Sequence, residues 1–237
     1  FAALRGREAL TVRWNPGAVV VESHERIASR LRMGLDDTDA AIAHRVGDAR
    51  KAIDGSDAVV SAEYELPFLA HATMEPMNCT ARISDGACEV WVPTQGPDDA
   101  RATAAQVAQI PPERVIVHTT LLGGGFGRRA VSDFVAEAVE VSKLTGLAVQ
   151  VLWTRDDDLR HDRYRDASAH RLRATVDARG YPIAWWHRIV SATPGKPEHG
   201  VPSPVATMGA TNLLYRLPQQ HVDWRGIETG VPYGIWR

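Results

Sequence analysis

Cysteine is scarce. The 237 residues hold two, Cys79 and Cys88. Two thiols exclude a disulfide scaffold, a four-cysteine zinc site and an iron–sulfur cluster held by this chain alone. They flank the turn Ser84-Asp85-Gly86 and do not face each other in its simplest register. Both are therefore expected to be buried free thiols. A basic excess is also missing. Lys and Arg number 27 against 29 Asp and Glu, a formal net charge of -2. That lacks the footprint of a nucleic-acid binder. No apolar run approaches the ~18 residues of a membrane-spanning helix. The chain opens at Phe1 with no signal-peptide pattern and stops on Tyr233-Gly234-Ile235-Trp236-Arg237. An aromatic-rich end is unlike an ordinary fading terminus, so a piece of a longer protein is expected.

What is present is ordinary globular material, 44% apolar and 24% charged, enough for one or two domains. The alternation of Ala9–Trp14 predicts a strand ended by Asn15-Pro16-Gly17. Ile27 and Leu31 predict a helix within Val20–Met33, with Ser23 as N-cap. Leu35–Ala49 is charged and weakly periodic and reads as a surface connection. Ala58–Leu66 alternates, with Val60, Ala62, Tyr64 and Leu66 on one face, and predicts a half-buried strand.

A compact unit follows. Cys79–Ile83 and Cys88–Val92 predict a hairpin about Asp85-Gly86. Asp98–Ile110 predicts a helix with Ala102, Ala105, Val107 and Ile110 inward, and Val115–Leu121 a strand. Asp133–Leu144 predicts a helix between Ser132 and Gly146, and Ala148–Trp153 a strand. His170–Val176 and Pro182–Val190 predict two antiparallel strands, and Thr193–Pro204 a loop. The sum is an α+β fold with mixed and antiparallel sheets packed by helices.

Three stretches carry chemistry. Gly123-Gly124-Gly125-Phe126-Gly127 lies between a strand and a helix, followed by Arg128-Arg129. Such a turn lets the backbone approach a ligand, and successive amides favour an anion. The two arginines could add pairing charge. The spacing matches neither the P-loop nor the dinucleotide fingerprint. The second stretch, His71 to Asn78, places His71 and Glu75 four apart without an evident third metal ligand; both read as satisfied polar residues bracketing a loop. The third is Thr154 to Arg165. Asp156, Asp157 and Asp158 could hold Mg²⁺ for phosphate chemistry, but the interleaved arginines favour a self-neutralised ion-pair network.

Four motifs in order carry a resemblance. They are Leu69-Ala70-His71-Ala72-Thr73-Met74-Glu75-Pro76-Met77-Asn78, Glu89-Val90-Trp91-Val92-Pro93-Thr94-Gln95, Gly123 to Arg129, and Trp153-Thr154-Arg155-Asp156-Asp157-Asp158. Over most of Leu66–Arg237 the chain resembles the molybdenum-binding large subunit of the xanthine dehydrogenase/aldehyde oxidase family, in its isoquinoline 1-oxidoreductase β-subunit branch. The resemblance implies a molybdopterin-binding-domain-like fold. It implies a division into residues 1–60, the end of a hammerhead-like region and a connection; 61–195, the molybdopterin-binding α+β domain; and 196–237, a loop and the start of a following segment.

The resemblance further implies a molybdenum hydroxylase, an oxidoreductase acting on an aldehyde or N-heteroaromatic compound with water as oxygen source. It implies molybdopterin with Mo, in the cytosine dinucleotide form, and [2Fe–2S] clusters on a partner iron–sulfur small subunit. Gly124, Gly125, Phe126, Gly127, Arg128 and Arg237 become the cofactor-binding candidates, with no metal ligand among the side chains. The family's general-base Glu lies in a later segment, so no catalytic residue is assigned in this chain, which alone is expected to be inactive. Where purine-oxidising relatives carry Gly-Lys-Glu, this sequence has Arg128-Arg129-Ala130. That favours an apolar aromatic or an aldehyde over a purine.

Overall fold

The computed structural model describes residues 1–15, 22–193 and 202–236. The N-terminal segment forms a short helix, α1 (Ala2–Glu8), and residues 9–15 adopt no regular structure. The strand predicted at Ala9–Trp14 is therefore absent. Its apolar side chains stay exposed, because alternation without a neighbouring ladder leaves the backbone groups unpaired. Ser23 caps α2 (His24–Gly34), accepting from the Arg26 amide at 3.3 Å, and Ile27 and Leu31 are buried as expected. The presumed surface connection after it contains a strand, β1 (Ala41–Val46), and a helix, α3 (Ala49–Asp54), capped by Asp48.

The remaining strands of the first sheet are β2 (Val59–Leu66), β7 (Ser168–Val176), β8 (Pro182–Ser191) and β9 (Gln219–Gly226). Their order is β1-β9-β8-β7-β2, antiparallel except for the parallel β8–β9 pair. The helices α2 and α3 cover one face. Leu31 packs with Ala169 and Val190, and Ile53 with Ala184 and Trp186. A short helix, α7 (Pro204–Thr207), sits over β8 and β9 on Val222 and Trp224. The predicted strand forms as the edge strand β2 and pairs with β7, but Val60, Tyr64 and Leu66 remain exposed rather than half-buried. This sheet takes β1 from residues 1–60 and β9 from 196–237. It thus joins all three sequence segments.

The second sheet consists of β3 (Asn78–Ser84), β4 (Ala87–Val92), β5 (Val115–Thr119) and β6 (Val149–Leu152), in the order β5-β4-β3-β6. β3 and β4 form the expected hairpin. Asp85 and Gly86 have φ of 52° and 71°, as a type I′ turn requires. The parallel β4–β5 pair needs a crossover, supplied by α4 (Pro97–Ala108). Its buried stripe is Ala100, Ala104 and Ala105, whereas Ala102 is exposed, one position off the predicted face. A second helix, α5 (Asp133–Thr145), ends at Gly146 with φ of 68°. Ser132 precedes it, but its hydroxyl makes no capping bond; Asp133 accepts the Phe134 amide instead.

Cys79, Val90, Phe134 and Val139 form the centre of this unit. Cys79 and Cys88 are free and buried, and burial pushes their thiols up to about 12 and about 11.

Two predictions concern these cores. Phe134 is fully buried, so Phe134→Ala is expected to cost about 3–5 kcal/mol in urea unfolding. In the large sheet, Asp223 accepts from Arg188 at 2.7 and 2.8 Å. Burial raises its pKa, but the Arg188 and His221 bonds outweigh that and hold it at about 2. A depressed carboxyl stabilises the fold fully above its unfolded value near 3.8. The contribution, about 2 kcal/mol, fades as pH falls through that value toward 2. Urea midpoints measured from pH 6 to pH 2 should drop across this window, and less steeply in Asp223→Asn.

Candidate functional site

The glycine turn leaves the C-terminal end of β5 and enters a single 3-10 turn, Arg128–Ala130, before α5. Gly124, Phe126 and Gly127 have φ of 95°, 53° and 101°. Phe126 is the costly member, since a non-glycine residue rarely occupies that region. The residue is 57% exposed, and its ring leans on Gly124, where an added Cβ would lie 3.3 Å from it.

Side chains from two other loops hold the turn at both ends. Glu75 and Gly123 pair reciprocally: the Gly123 amide donates to the Glu75 carboxylate at 2.9 Å, and the Glu75 amide to the Gly123 carbonyl at 3.1 Å. At the far end the Gly127 amide donates to Gln95 Oε1 at 3.0 Å. Beneath both lies Arg129, fully buried. Its Nε donates to the Gly124 carbonyl at 2.8 Å, and Nη2 reaches the Glu75 carbonyl at 2.5 Å and carboxylate at 3.1 Å. Burial lowers the Arg129 pKa against the pull of Glu75.

Between these anchors the amides of Gly124, Gly125 and Phe126 have no acceptor among the described residues. Three successive free donors form a nest suited to an anionic oxygen or sulfur. The sequence reading extended this donor set to Gly127, whose amide Gln95 occupies.

Arg128 is 1% exposed and turned inward. Its guanidinium donates to Asp133 at 2.9 and 3.1 Å, and Nε makes a 2.7 Å ion contact with Asp162, not aligned as a hydrogen bond. Neither arginine is therefore free to pair with a ligand's charge. Their role here is to shape the turn. Arg237, the remaining candidate, lies outside the described residues.

His71 and Glu75 do not converge on a shared metal position. His71 contacts Asp162 and the Ile235 carbonyl, while Glu75 serves the glycine turn. The aspartates also separate. Asp157 closes a capping box with Thr154 on α6 (Arg155–Arg160) and pairs with Arg7; Asp158 is buried and pairs with Arg155; Asp156 is exposed. Burial raises Asp158, whereas the Arg7 and Thr154 bonds push Asp157 far below the usual carboxylate range despite some burial. A joint Mg²⁺ site is not formed, which disfavours the phosphate-handling reading. The residues missing from the sequence-based site are Gln95 and Glu75. Both stand in quoted motifs, but only the fold brings them to the turn.

The class this defines is an α+β domain presenting a backbone nest on a surface turn. The sequence profile of the molybdopterin cofactor-binding domain matches residues 35–235, and the chain belongs to that family. Relatives include a membrane-bound aldehyde dehydrogenase [pyrroloquinoline-quinone] of Gluconacetobacter polyoxogenes, 34% identical over 75% of this chain and 23% of that protein. The β subunit of isoquinoline 1-oxidoreductase from Brevundimonas diminuta is 32% identical over 74% of this chain and 24% of its own length. The chain thus spans about a quarter of these relatives. Among solved structures, the aldehyde oxidoreductase of Desulfovibrio gigas superposes with a TM-score of 0.70 at 16% identity, over 83% of this chain and 22% of that one. Quinoline 2-oxidoreductase from Pseudomonas putida 86 gives 0.60 at 16% identity, over 83% of this chain and 26% of that one. These structures share the fold.

The two anchors of the turn are separable by mutation. A Cβ on Gly125 would overlap Gln95 Oε1. Gly125→Ala should therefore displace that carboxamide and free the Gly127 amide. Hydrogen exchange at Gly127 is expected to quicken about tenfold or more, with exchange in α4 and α5 unchanged.

Proposed function

We propose that the Gly124–Gly127 turn cradles the metal end of a molybdopterin, and that the parent protein hydroxylates an aldehyde or an N-heteroaromatic compound with water as oxygen source. The observation that carries this is the nest of three unpaired amides in a chain of the molybdopterin cofactor-binding family. The donor set fits the group: a molybdenum–dithiolene centre presents electron-rich oxygen and sulfur, which N–H dipoles stabilise. When bound, the cofactor supplies the two-electron oxidation.

The chain's own residues do the holding. Gly124, Gly125 and Phe126 donate to the cofactor. Gly127, through Gln95, and Arg128 and Arg129, through their internal bonds, keep those donors aimed. The exposed Phe126 ring offers an apolar wall that excludes water from one side of a flat substrate. Arg237 is retained as a cofactor contact. The general base belongs to a later segment of the parent, so the chain alone is expected to be inert.

The finer reading is the cytosine dinucleotide form of the cofactor, with [2Fe–2S] clusters on an iron–sulfur small subunit. Two buried thiols supply no cluster ligands, so the relay of this reading lies outside this stretch of the parent. The names of two relatives, the isoquinoline 1-oxidoreductase β subunit and the molybdenum-binding subunit of xanthine dehydrogenase from Escherichia coli O157:H7, describe subunits of assemblies. Among the described residues no helix is long and apolar enough to cross a membrane.

The Gluconacetobacter relative's name specifies pyrroloquinoline quinone, so the cofactor is the point to test. Metal and nucleotide analysis of the complete gene product, purified with its partners, is expected to give molybdenum and a pterin cytosine dinucleotide. A quinone cofactor in a molybdenum-free, active complex would overturn the reading.

A further inference from the structure

The large sheet is covered unequally. Residues directly opposite one another on neighbouring strands share a face. On the face turned away from α2 and α3, α7 packs over Ile189, Val222 and Trp224 of β8 and β9. That cover stops short of β2. Val60 of β2 stands opposite Ala174 of β7, and Ala174 opposite Trp185 of β8, so the three form one row. A second row runs from Tyr64 through His170 to Ile189. Val60 and Tyr64 are 61% and 57% exposed. Beside Trp185 the first row opens into an apolar cavity of about 270 Å³, walled by Pro182, Leu213, Tyr215 and Leu217. Leu214 and Tyr215 stand exposed next to it.

Charge is kept off this face. β2 sends Glu63 and Glu65 to the other side, where they pair with Arg171 and Arg32. The two histidines of the open face bond inward. His170 Nδ1 lies 3.0 Å from His187 Nε2, and His170 Nε2 lies 3.0 Å from the Ser168 hydroxyl. Burial lowers both, His187 to about 4, so neither is charged at pH 7. A single exposed apolar side chain means little, but a contiguous uncharged patch is an interaction surface. One this apolar resembles a core cut in half, as in permanent rather than exchanging contacts.

We propose that the open half of this face is covered by another part of the same polypeptide, a segment of the parent outside residues 1–237 that lays apolar side chains across β2 and β7 and into the cavity beside Trp185. Two observations select this occupant. The chain spans about a quarter of its relatives, so a parent of their length has most of its residues left to supply the cover. The patch also continues the core beneath α7 without a polar rim between them, whereas a separately folded partner meets a rim of polar residues. The inference rests on the reading of a longer parent and is independent of the cofactor.

The complete gene product, purified with its partners, carries the test. With Tyr64 replaced by the photo-cross-linker p-benzoylphenylalanine, irradiation is expected to join position 64 to a peptide outside residues 1–237 in a product of single-chain mass. A cross-link to another subunit, or a product of twice the chain mass, would overturn the proposal. Val60→Cys gives a second measurement. Its reaction with maleimide in the folded complex is expected to be about tenfold or more slower than in the same protein unfolded in urea; equal rates would show the face to be open. Intact mass keeps the two readings apart. A gene product ending at residue 237 would remove the longer parent itself, while a longer product lacking the cross-link or the protection would remove the inference alone.

Discussion

A buried guanidinium keeps the glycine turn in shape. Arg129 has no exposure, and its donors end on the Gly124 carbonyl and on both the carbonyl and carboxylate of Glu75. A buried cation is tolerated only when paired and hydrogen-bonded, so these acceptors are constrained to stay where they are. The consequence lies on the other side of the peptide planes. With the Gly124 carbonyl drawn inward to Arg129 and the terminal amides of the turn tied to Glu75 and Gln95, the three amides between are left without partners. The turn lies at the surface, and its Phe126 holds a φ of 53°.

The same frame explains why the two consecutive arginines after the turn face inward rather than toward its amides. Had they faced outward, they would compete with the backbone nest and bring mobile charge to the site. Turned inward, they act as rigid cross-links between the turn, the loop carrying Glu75, and the start of α5. Arg128 reaches Asp133 and Asp162 and packs its guanidinium 5.5 Å from the Trp153 ring. The planar fork of Arg suits such multiple fixed contacts, which a lysine could not make.

Much of the fold was legible because its signals are local. The Asp85-Gly86 hairpin follows from two residues that tolerate positive φ, and the C-terminal end of α5 from Gly146, while Ser132, read as its N-cap, makes no capping bond. The misread parts depend on distant partners. Ala9–Trp14 alternates like a strand, yet no ladder receives it. Ala41–Val46 has little alternation and becomes a strand because β9, almost 180 residues later, pairs with it. β2 forms as a strand as predicted, but its apolar face stays exposed in this chain because burial depends on what lies across from it. At the site, the glycine run was legible from composition alone. Gln95 was not, since a single Gln carries no pattern until the fold sets its carboxamide against Gly125.

Substrate preference can be approached from the charge left at the turn. The polar groups around it are largely consumed: Glu75 by Gly123, Asn78 and Arg129, Thr73 by the Glu75 carbonyl, and both arginines internally. What stays outward is backbone amide and apolar side chain, with Phe126, Leu121 and Met74 all exposed. A site that recognises a substrate's hydrogen-bonding edge needs side-chain donors or acceptors to spare, and unpaired ones reject ligands that lack the match. Among the described residues, Glu75, Thr73 and the two arginines are spent on internal partners. Polar discrimination beside the turn would therefore have to come from residues other than these.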